Sequence, residues 1–124
     1  MLFRVLFIFC FTFSTAWSQN KPVVVLELFT SQGCSSCPPA DEVLADIKEN
    51  MDNTSIIPIA YHVDYWDYIG WKDPFALKAF TNKQRFYGRK FNSSSIYTPQ
   101  LVINGNEHIA VSYTHLTLPT TSRV

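Results

Sequence analysis

Two cysteines lie three positions apart in the segment Cys34-Ser35-Ser36-Cys37, a spacing that is typical of thiol–disulfide exchange. Exchange needs a thiolate that attacks a disulfide and a second thiol close enough to resolve the mixed disulfide that forms. At the start of a helix the macrodipole stabilises a thiolate and lowers its pKa. We therefore predict Cys34 as the nucleophile and Cys37 as the more covered, resolving thiol. Ser35 and Ser36 are expected to cap that helix or to donate hydrogen bonds to sulfur.

The same cysteine pair has two other interpretations, a permanent structural disulfide and one half of a metal site. A zinc site would need two further ligands. The candidates are dispersed histidines and aspartates: His62, Asp64, Asp67 and His108. Because none of them forms a second closely spaced pair, we predict no metal site and no cofactor. The alternative functions are a metal-binding or copper-delivery module and a non-enzymatic binding domain with a structural disulfide.

The cysteines lie between a strand pattern and a helix pattern. Residues 23–30 form an apolar run rich in β-branched side chains, which predicts a buried strand. A helix is predicted from Ala40 to Met51, with Pro38 and Pro39 in its first turn. Its apolar face is expected to comprise Val43, Leu44, Ile47 and Met51. Glu27 interrupts the strand and is expected either to relay a proton to Cys37 or to point to an exposed face.

The second half of the sequence predicts one helix and three strands. Residues 55–63 form another apolar run, in which Pro58 indicates an edge position or a bulge. Asp73-Pro74 predicts the start of a helix that runs to about Phe91. Asn104-Gly105 predicts a hairpin between strands 100–103 and 107–110.

The predicted order is therefore β, α, β, α, β, β, with the cysteine pair at the first strand-to-helix junction. This order predicts an α/β fold, specifically a thioredoxin-like three-layer fold, truncated before its last helix. In such folds a cis-proline before a strand lies beside the cysteine pair and presents its neighbour's backbone to an extended substrate. We assign that role to Thr98 and Pro99 by their position before strand 100–103.

Other polar and aromatic residues are expected near the same edge of the sheet. His62 and Asp64 lie at the end of the second strand, and we predict that they form a satisfied surface pair. The alternatives are that they tune the cysteine pair or bind a metal. The aromatic segment from Tyr65 to Trp71 is expected mainly to pack against the domain. Any exposed part of it would be the natural place to contact a substrate chain.

Both termini differ from the central segment. Residues 1–18 combine one positive charge, a short apolar run and small residues at a cleavage position, which predicts a signal peptide rather than an uncleaved anchor. Cleavage would discard Cys10 and leave the Cys34 pair as the only thiols. Residues 111–124 resemble the conceptual translation of a sequencing adapter and are expected to be non-native. The predicted domain, incomplete at its end, is therefore 19–110.

Charge excludes one class of partner. Ten Lys and Arg residues balance ten Asp and Glu residues, so no basic surface is available for nucleic acid. With a cleaved signal peptide, no stable membrane insertion is expected. We predict a periplasmic or secreted protein whose partners are protein thiols or disulfides in the cell envelope.

Four motifs resemble a known family. They run from Phe29 to Asp41, from His62 to Asp67, from Gly70 to Asp73 and from Tyr97 to Gln100. Together they are similar to the secreted bacterial family labelled domain of unknown function 1223. The resemblance implies a thioredoxin-like domain, a periplasmic or secreted location, a longer chain and no settled activity. The family's thiol pair falls on Cys34 and Cys37, and its Thr-Pro on Thr98 and Pro99.

Overall fold

The computed structural model describes residues 20–51 and 54–111. Within them the elements follow in the order β1 (Val24–Thr30), α1 (Pro38–Asn50), β2 (Ile56–His62), a 3-10 turn (Asp67–Ile69), α2 (Lys78–Lys90), β3 (Gln100–Ile103) and β4 (Glu107–Ala110). This order confirms the predicted α/β class and is compatible with a thioredoxin-like fold. The predicted signal peptide lies outside the described residues, and so does the predicted tail beyond Val111.

The strands form one mixed sheet in the order β2-β1-β3-β4. Strand β1 is parallel to β2 and antiparallel to β3, and β3 is antiparallel to β4. Pro58 lies in β2 at the edge of the sheet, as predicted, where a missing N–H is tolerated. The hairpin prediction is also confirmed, because Asn104 and Gly105 have φ angles of +51° and +66° between β3 and β4.

The two helices cover opposite faces of β1, because alternate side chains of a strand point in opposite directions. Leu26 and Leu28 pack against Leu44 of α1. On the other face, Phe29 packs against Tyr87 of α2 at a ring-centroid distance of 5.9 Å. The sheet is therefore the middle of three layers, and the C-terminal ends of β1 and β2 open onto the segment that contains the cysteines.

Helix α1 matches its predicted range closely but not its predicted apolar face. Leu44 is buried, whereas Val43 and Met51 are 37% and 48% exposed. Val43 borders an apolar groove of about 150 Å³ between α1 and the β3–β4 hairpin, which also contacts Leu101 and Ile109. The apolar face predicted from helical periodicity therefore includes side chains that the described part of the sheet does not cover.

Helix α2 begins at Lys78, so the predicted start at Asp73-Pro74 is wrong. Leu77 has extended backbone angles, φ −129° and ψ 136°, and its N–H donates to the carbonyl of His62. This bond to the end of β2 delays the helix, while Asp73 closes only a short turn by accepting from the Phe75 N–H. Among residues 20–51 and 54–111, no helix has the length and apolar character needed to cross a membrane.

Candidate thiol–disulfide site

Cys34 and Cys37 form a disulfide at the junction between β1 and α1, with their Cα atoms 5.4 Å apart. A backbone turn holds the pair, since the Cys34 N–H donates to the Ser31 carbonyl and the Cys37 N–H to the Cys34 carbonyl. Cys34 is 3% exposed and Cys37 is fully buried, the order of exposure predicted from sequence. Helix α1 starts only after Cys37, so the thiols lie in the turn before the helix rather than on its first turn.

The electrostatic environment of the sulfurs differs from the expectation of free helical N–H donors. Cys37 is the N-cap residue, and Pro38 and Pro39 have no N–H to offer. No side chain caps the helix, so the serines do not act as caps. Ser36 does contact sulfur, with its Oγ 3.5 Å from Cys34 Sγ. Stabilisation of a Cys34 thiolate would therefore come from the helix dipole and the Ser36 hydroxyl.

Glu27 does not serve the cysteine pair. Its carboxylate is buried on the α2 face of the sheet, opposite to the face that α1 covers. Lys83 Nζ lies 2.9 Å from one carboxylate oxygen, and the Tyr87 hydroxyl donates to the other. Burial, followed by the hydrogen bond to Glu27, raises the pKa of Tyr87 to about 12. The structure therefore overturns both interpretations of Glu27, the proton relay to Cys37 and the exposed position.

His62 pairs with Asp73 instead of Asp64. The His62 Nδ1 atom lies 2.6 Å from Asp73 Oδ2, and the His62 side chain is 23% exposed. Asp64 instead accepts a hydrogen bond from the Thr81 hydroxyl. The predicted His62–Asp64 pair is therefore wrong, because α2 supplies a partner for Asp64 and the turn before α2 supplies one for His62.

Asp73 is a buried carboxylate held by three donors. It accepts from the Gln32 N–H at 2.9 Å, from the Phe75 N–H at 2.9 Å and from His62. Burial by itself would raise the pKa of Asp73, but the hydrogen bonds from Gln32, His62 and Phe75 outweigh it and hold the pKa below 3.8. Because Gln32 lies two residues before Cys34, Asp73 fixes the segment that leads into the disulfide.

Asp41 is a candidate that the sequence analysis did not single out. It lies one turn beyond Cys37, and its N–H donates to the Cys37 carbonyl. Residues four apart share a helix face, so this i, i+4 spacing is the sequence feature that could have identified it. Burial is the largest influence on the pKa of Asp41 and raises it. The Thr30 hydroxyl and His62 lower this pKa and the Asp73 carboxylate raises it, and the net shift is upward. A carboxyl group with a raised pKa can act in proton transfer, which makes Asp41 a candidate to exchange a proton with a leaving Cys37 thiolate.

An open cleft runs along the edge strand β2 and reaches residues on either side of the cysteine pair in sequence. Its volume is about 440 Å³, and its polar lining includes Gln32, Asp41, Lys48 and His62. The Thr30 hydroxyl, at the end of β1, is buried without a hydrogen bond of ordinary geometry, although it is close enough to Asp41 to lower that pKa. The cleft therefore exposes Asp41 and His62 to solvent.

Thr98 and Pro99 are joined by a cis peptide bond, the isomer predicted from sequence. The Trp66 indole N–H donates to the Thr98 hydroxyl at 2.7 Å. A Cβ built on Gly33 would lie only 3.0 Å from Trp66 Cβ, so the Trp66 backbone and Gly33 are in close contact. Trp66 therefore connects the residue before Cys34 to the cis-proline segment.

Tyr65 and Trp66 are half-buried, whereas Tyr68 and Trp71 are exposed, so the expectation of packing holds for only part of this loop.

The donors considered for a metal site are occupied elsewhere. Asp67 accepts from the Asp73 N–H, and His108 Nδ1 lies 3.0 Å from the Tyr97 hydroxyl. Among residues 20–51 and 54–111, no three His, Cys, Asp or Glu side chains are close enough to hold a metal ion. The arrangement of donors gives no support to the metal-delivery alternative.

Comparison with known proteins shows the family. A crystal structure of a protein from Agrobacterium tumefaciens is similar, with 46% sequence identity and a TM-score of 0.66 over 72% of this chain. The match covers 39% of that protein, so this chain spans about two fifths of its length. No curated protein matches the chain. The family described as protein of unknown function DUF1223 matches residues 25–117, and the chain belongs to that family.

Proposed function

We propose that the protein exchanges disulfides with polypeptide thiols through Cys34 and Cys37. The observation that supports this most strongly is the position of the disulfide in a tight turn at the junction of β1 and α1. Gln32, two residues before Cys34, and Asp41, four residues after Cys37, both line an open cleft. The cis-proline segment, connected to the residue before Cys34 through Trp66, adds to the support.

The exchange conserves atoms and electrons. A substrate thiolate attacks Cys34 Sγ, the Cys34–Cys37 bond breaks, and Cys37 leaves as a thiolate that takes up a proton. The second substrate thiolate then attacks the substrate sulfur of the mixed disulfide and releases Cys34. Two electrons and two protons pass from the substrate dithiol to the protein, and the reverse sequence oxidises the protein while it reduces a substrate disulfide.

Burial of the sulfurs supports Cys34 as the attacked atom. Cys37 is fully buried, whereas Cys34 retains a small exposed surface and has a hydroxyl neighbour in Ser36. A substrate sulfur that approaches from solvent therefore meets Cys34 first. We propose that Asp41, one turn beyond Cys37 and with a carboxyl pKa raised by burial, supplies the proton that the leaving Cys37 thiolate needs.

The test is reduction of insulin disulfides by the full chain in the presence of dithiothreitol. We expect the wild-type protein to accelerate the reaction and Cys34→Ser to abolish the acceleration. Cys10→Ser is the matched control, since it makes the same chemical change outside the pair, and it should retain the wild-type rate. A Cys34–Cys37 bond that survives strong reductant while the fold persists would show a permanent structural disulfide instead.

We also propose that the protein acts outside the cytosol, in the periplasm or after secretion, on protein thiols or disulfides of the cell envelope. The support is the signal-peptide pattern of residues 1–18 and the preference of stable disulfides for oxidising compartments. Cell fractionation with N-terminal sequencing tests this. We expect an envelope or secreted product that begins at Gln19, and a full-length cytosolic product would contradict it.

A further inference from the structure

Three neighbouring residues beside the disulfide leave apolar side chains in solvent. Tyr68 is 79% exposed, Ile69 is 51% exposed and Trp71 is 58% exposed. Single apolar residues on a surface need no explanation, but a cluster of large ones marks an interaction site. We call these three residues the apolar rim.

The apolar rim contacts the residues that lead directly into Cys34. The Trp71 indole N–H donates to the Gln32 side-chain oxygen at 2.9 Å. A Cβ built on Gly33 would lie 3.3 Å from Cδ1 of Ile69. Two members of the rim therefore border the two residues before Cys34.

The segment that contains the rim is held at both ends. Before it, Trp66 donates to Thr98, and Asp67 accepts from the Asp73 N–H at 3.1 Å. After it, Asp73 is fixed by Gln32 and His62. These bonds keep the rim beside the disulfide before any partner binds, which reduces the entropy lost on binding.

We propose that the apolar rim is the docking surface for an extended polypeptide whose reactive cysteine has large apolar neighbours. This inference rests on the proposed disulfide exchange and specifies its substrate class. An extended segment fits because Cys34, only 3% exposed, is reached by a cysteine on a narrow, flexible chain and not by one on a flat folded surface. Apolar neighbours fit because they would cover the rim side chains.

Two other occupants fit the rim less well. A membrane surface would favour a basic face around the apolar residues, whereas Lys72 beside the rim is accompanied by the acidic residue Asp67. A second copy of the chain would need an interface of about 20–30 residues on each side, far more than three. A cysteine-containing peptide needs only a few apolar contacts next to the reacting sulfur.

The experiment compares two disulfide-bonded peptides that differ only in the residues flanking their cysteines, Leu and Phe in one and Ser in the other. The reduced full chain transfers two electrons to either peptide and becomes oxidised at Cys34 and Cys37. We expect the wild-type protein to reduce the apolar peptide about tenfold faster. In the double variant Ile69→Ala with Trp71→Ala, this rate ratio should fall towards one.

Three variants keep the result specific. Phe86→Ala removes an aromatic side chain that is 55% exposed on α2 and should keep the wild-type ratio. Trp71→Phe retains an aromatic ring and should keep most of the wild-type rate ratio. If the double variant fails to fold, Tyr68→Ser changes the most exposed rim residue and should lower the ratio by itself.

Equal wild-type rates for the two peptides would overturn the inference and leave the proposed exchange intact. A double variant with the wild-type ratio would also overturn it, as would a monomer–dimer equilibrium that the double variant abolishes. If the wild-type protein reduced neither peptide, the proposed function itself would fail.

Discussion

Trp66 donates a 2.7 Å hydrogen bond from its indole nitrogen to the Thr98 hydroxyl, and thereby joins the cis-proline segment to the loop beside the disulfide. The same residue lies against Gly33, immediately before Cys34. Trp66 therefore adds a connection between the cysteine turn and the cis-proline segment, besides the pairing of Phe29 in β1 with Gln100 in β3.

Trp66→Phe tests this connection. The variant keeps an aromatic ring but removes the indole donor to the Thr98 hydroxyl, and we expect a loss of about 1 kcal/mol in the free energy of unfolding. Trp71→Phe is the control, because Trp71 donates to Gln32 from a position that is 58% exposed and should cost less. Urea unfolding measures both, and an equal loss in the two variants would contradict the assignment.

Gly33→Ala should destabilise the fold by crowding Trp66. The added Cβ would lie 3.0 Å from Trp66 Cβ and 3.2 Å from the Trp66 carbonyl oxygen, which is backbone and cannot swing away. We expect a loss of about 1–3 kcal/mol. Gly88→Ala is the matched control, since its Cβ would meet only a methyl group of Ile96 at 3.3 Å, and alanine favours the helix at that position. Thermal or urea unfolding that ranks the two variants in the opposite order would contradict this prediction.

Asp73→Asn should weaken the fold in a pH-dependent way. The pKa of Asp73 is held below 3.8, so its carboxylate contributes stability that is present above pH 3.8 and is lost as the pH falls through the lowered pKa. We expect a loss of about 2 kcal/mol at pH 7 because asparagine cannot replace all three hydrogen bonds. The difference from wild type should shrink below pH 3.8 in urea unfolding. Asp46→Asn, at an exposed position of α1, is the control and should change the free energy of unfolding little. If the loss in Asp73→Asn were the same at every pH, the stability would not come from the ionised Asp73 carboxylate.

Asp41→Asn should change the free energy of unfolding and the rate of disulfide exchange in opposite directions. Burial raises the pKa of Asp41 above 3.8, so its charge opposes folding, and the folded state loses stability as the pH rises from 3.8 through the raised pKa. Removal of the charge should therefore raise the free energy of unfolding at pH 7 only slightly, because the carboxyl group is partly exposed and solvent screens its charge. The same variant should slow disulfide exchange and remove an inflection from its pH profile.

Glu42→Gln is the matched control for Asp41, because it neutralises the adjacent, exposed carboxylate of α1. It should alter neither the stability at pH 7 nor the pH profile of exchange. An unchanged profile in Asp41→Asn, or the same change in both variants, would show that Asp41 has no part in proton transfer.

Local sequence patterns were sufficient for the elements and for the cysteine pair. The apolar run of β1 and the Asn104-Gly105 turn predict their own structures, because each depends mainly on neighbouring residues. The cis-proline assignment rested on the position of Pro99 before β3 and is confirmed in its isomer.

Contacts between distant segments were not predictable in the same way. The start of α2 depends on a hydrogen bond between Leu77 and His62, and the partner of His62 is Asp73. Neither interpretation of Glu27 holds, because strand periodicity does not show that Lys83 and Tyr87 of α2 cover that side of β1. The i, i+4 spacing between Cys37 and Asp41 can be read from the sequence, but the burial of Asp41 against the ends of β1 and β2 cannot.

The most direct test of the central claim is the trapping of a mixed disulfide. Reduced Cys37→Ser is mixed with an oxidised peptide, so that the Cys34 thiolate attacks one peptide sulfur, forms a new disulfide and releases the other peptide half as a thiolate. Peptide mapping by mass spectrometry locates the adduct. We predict a stable adduct on Cys34 that dithiothreitol removes, and little adduct from Cys34→Ser under the same conditions. Absence of the Cys34 adduct, or equal adduct formation by the two variants, would contradict disulfide exchange through an accessible Cys34 and a resolving Cys37.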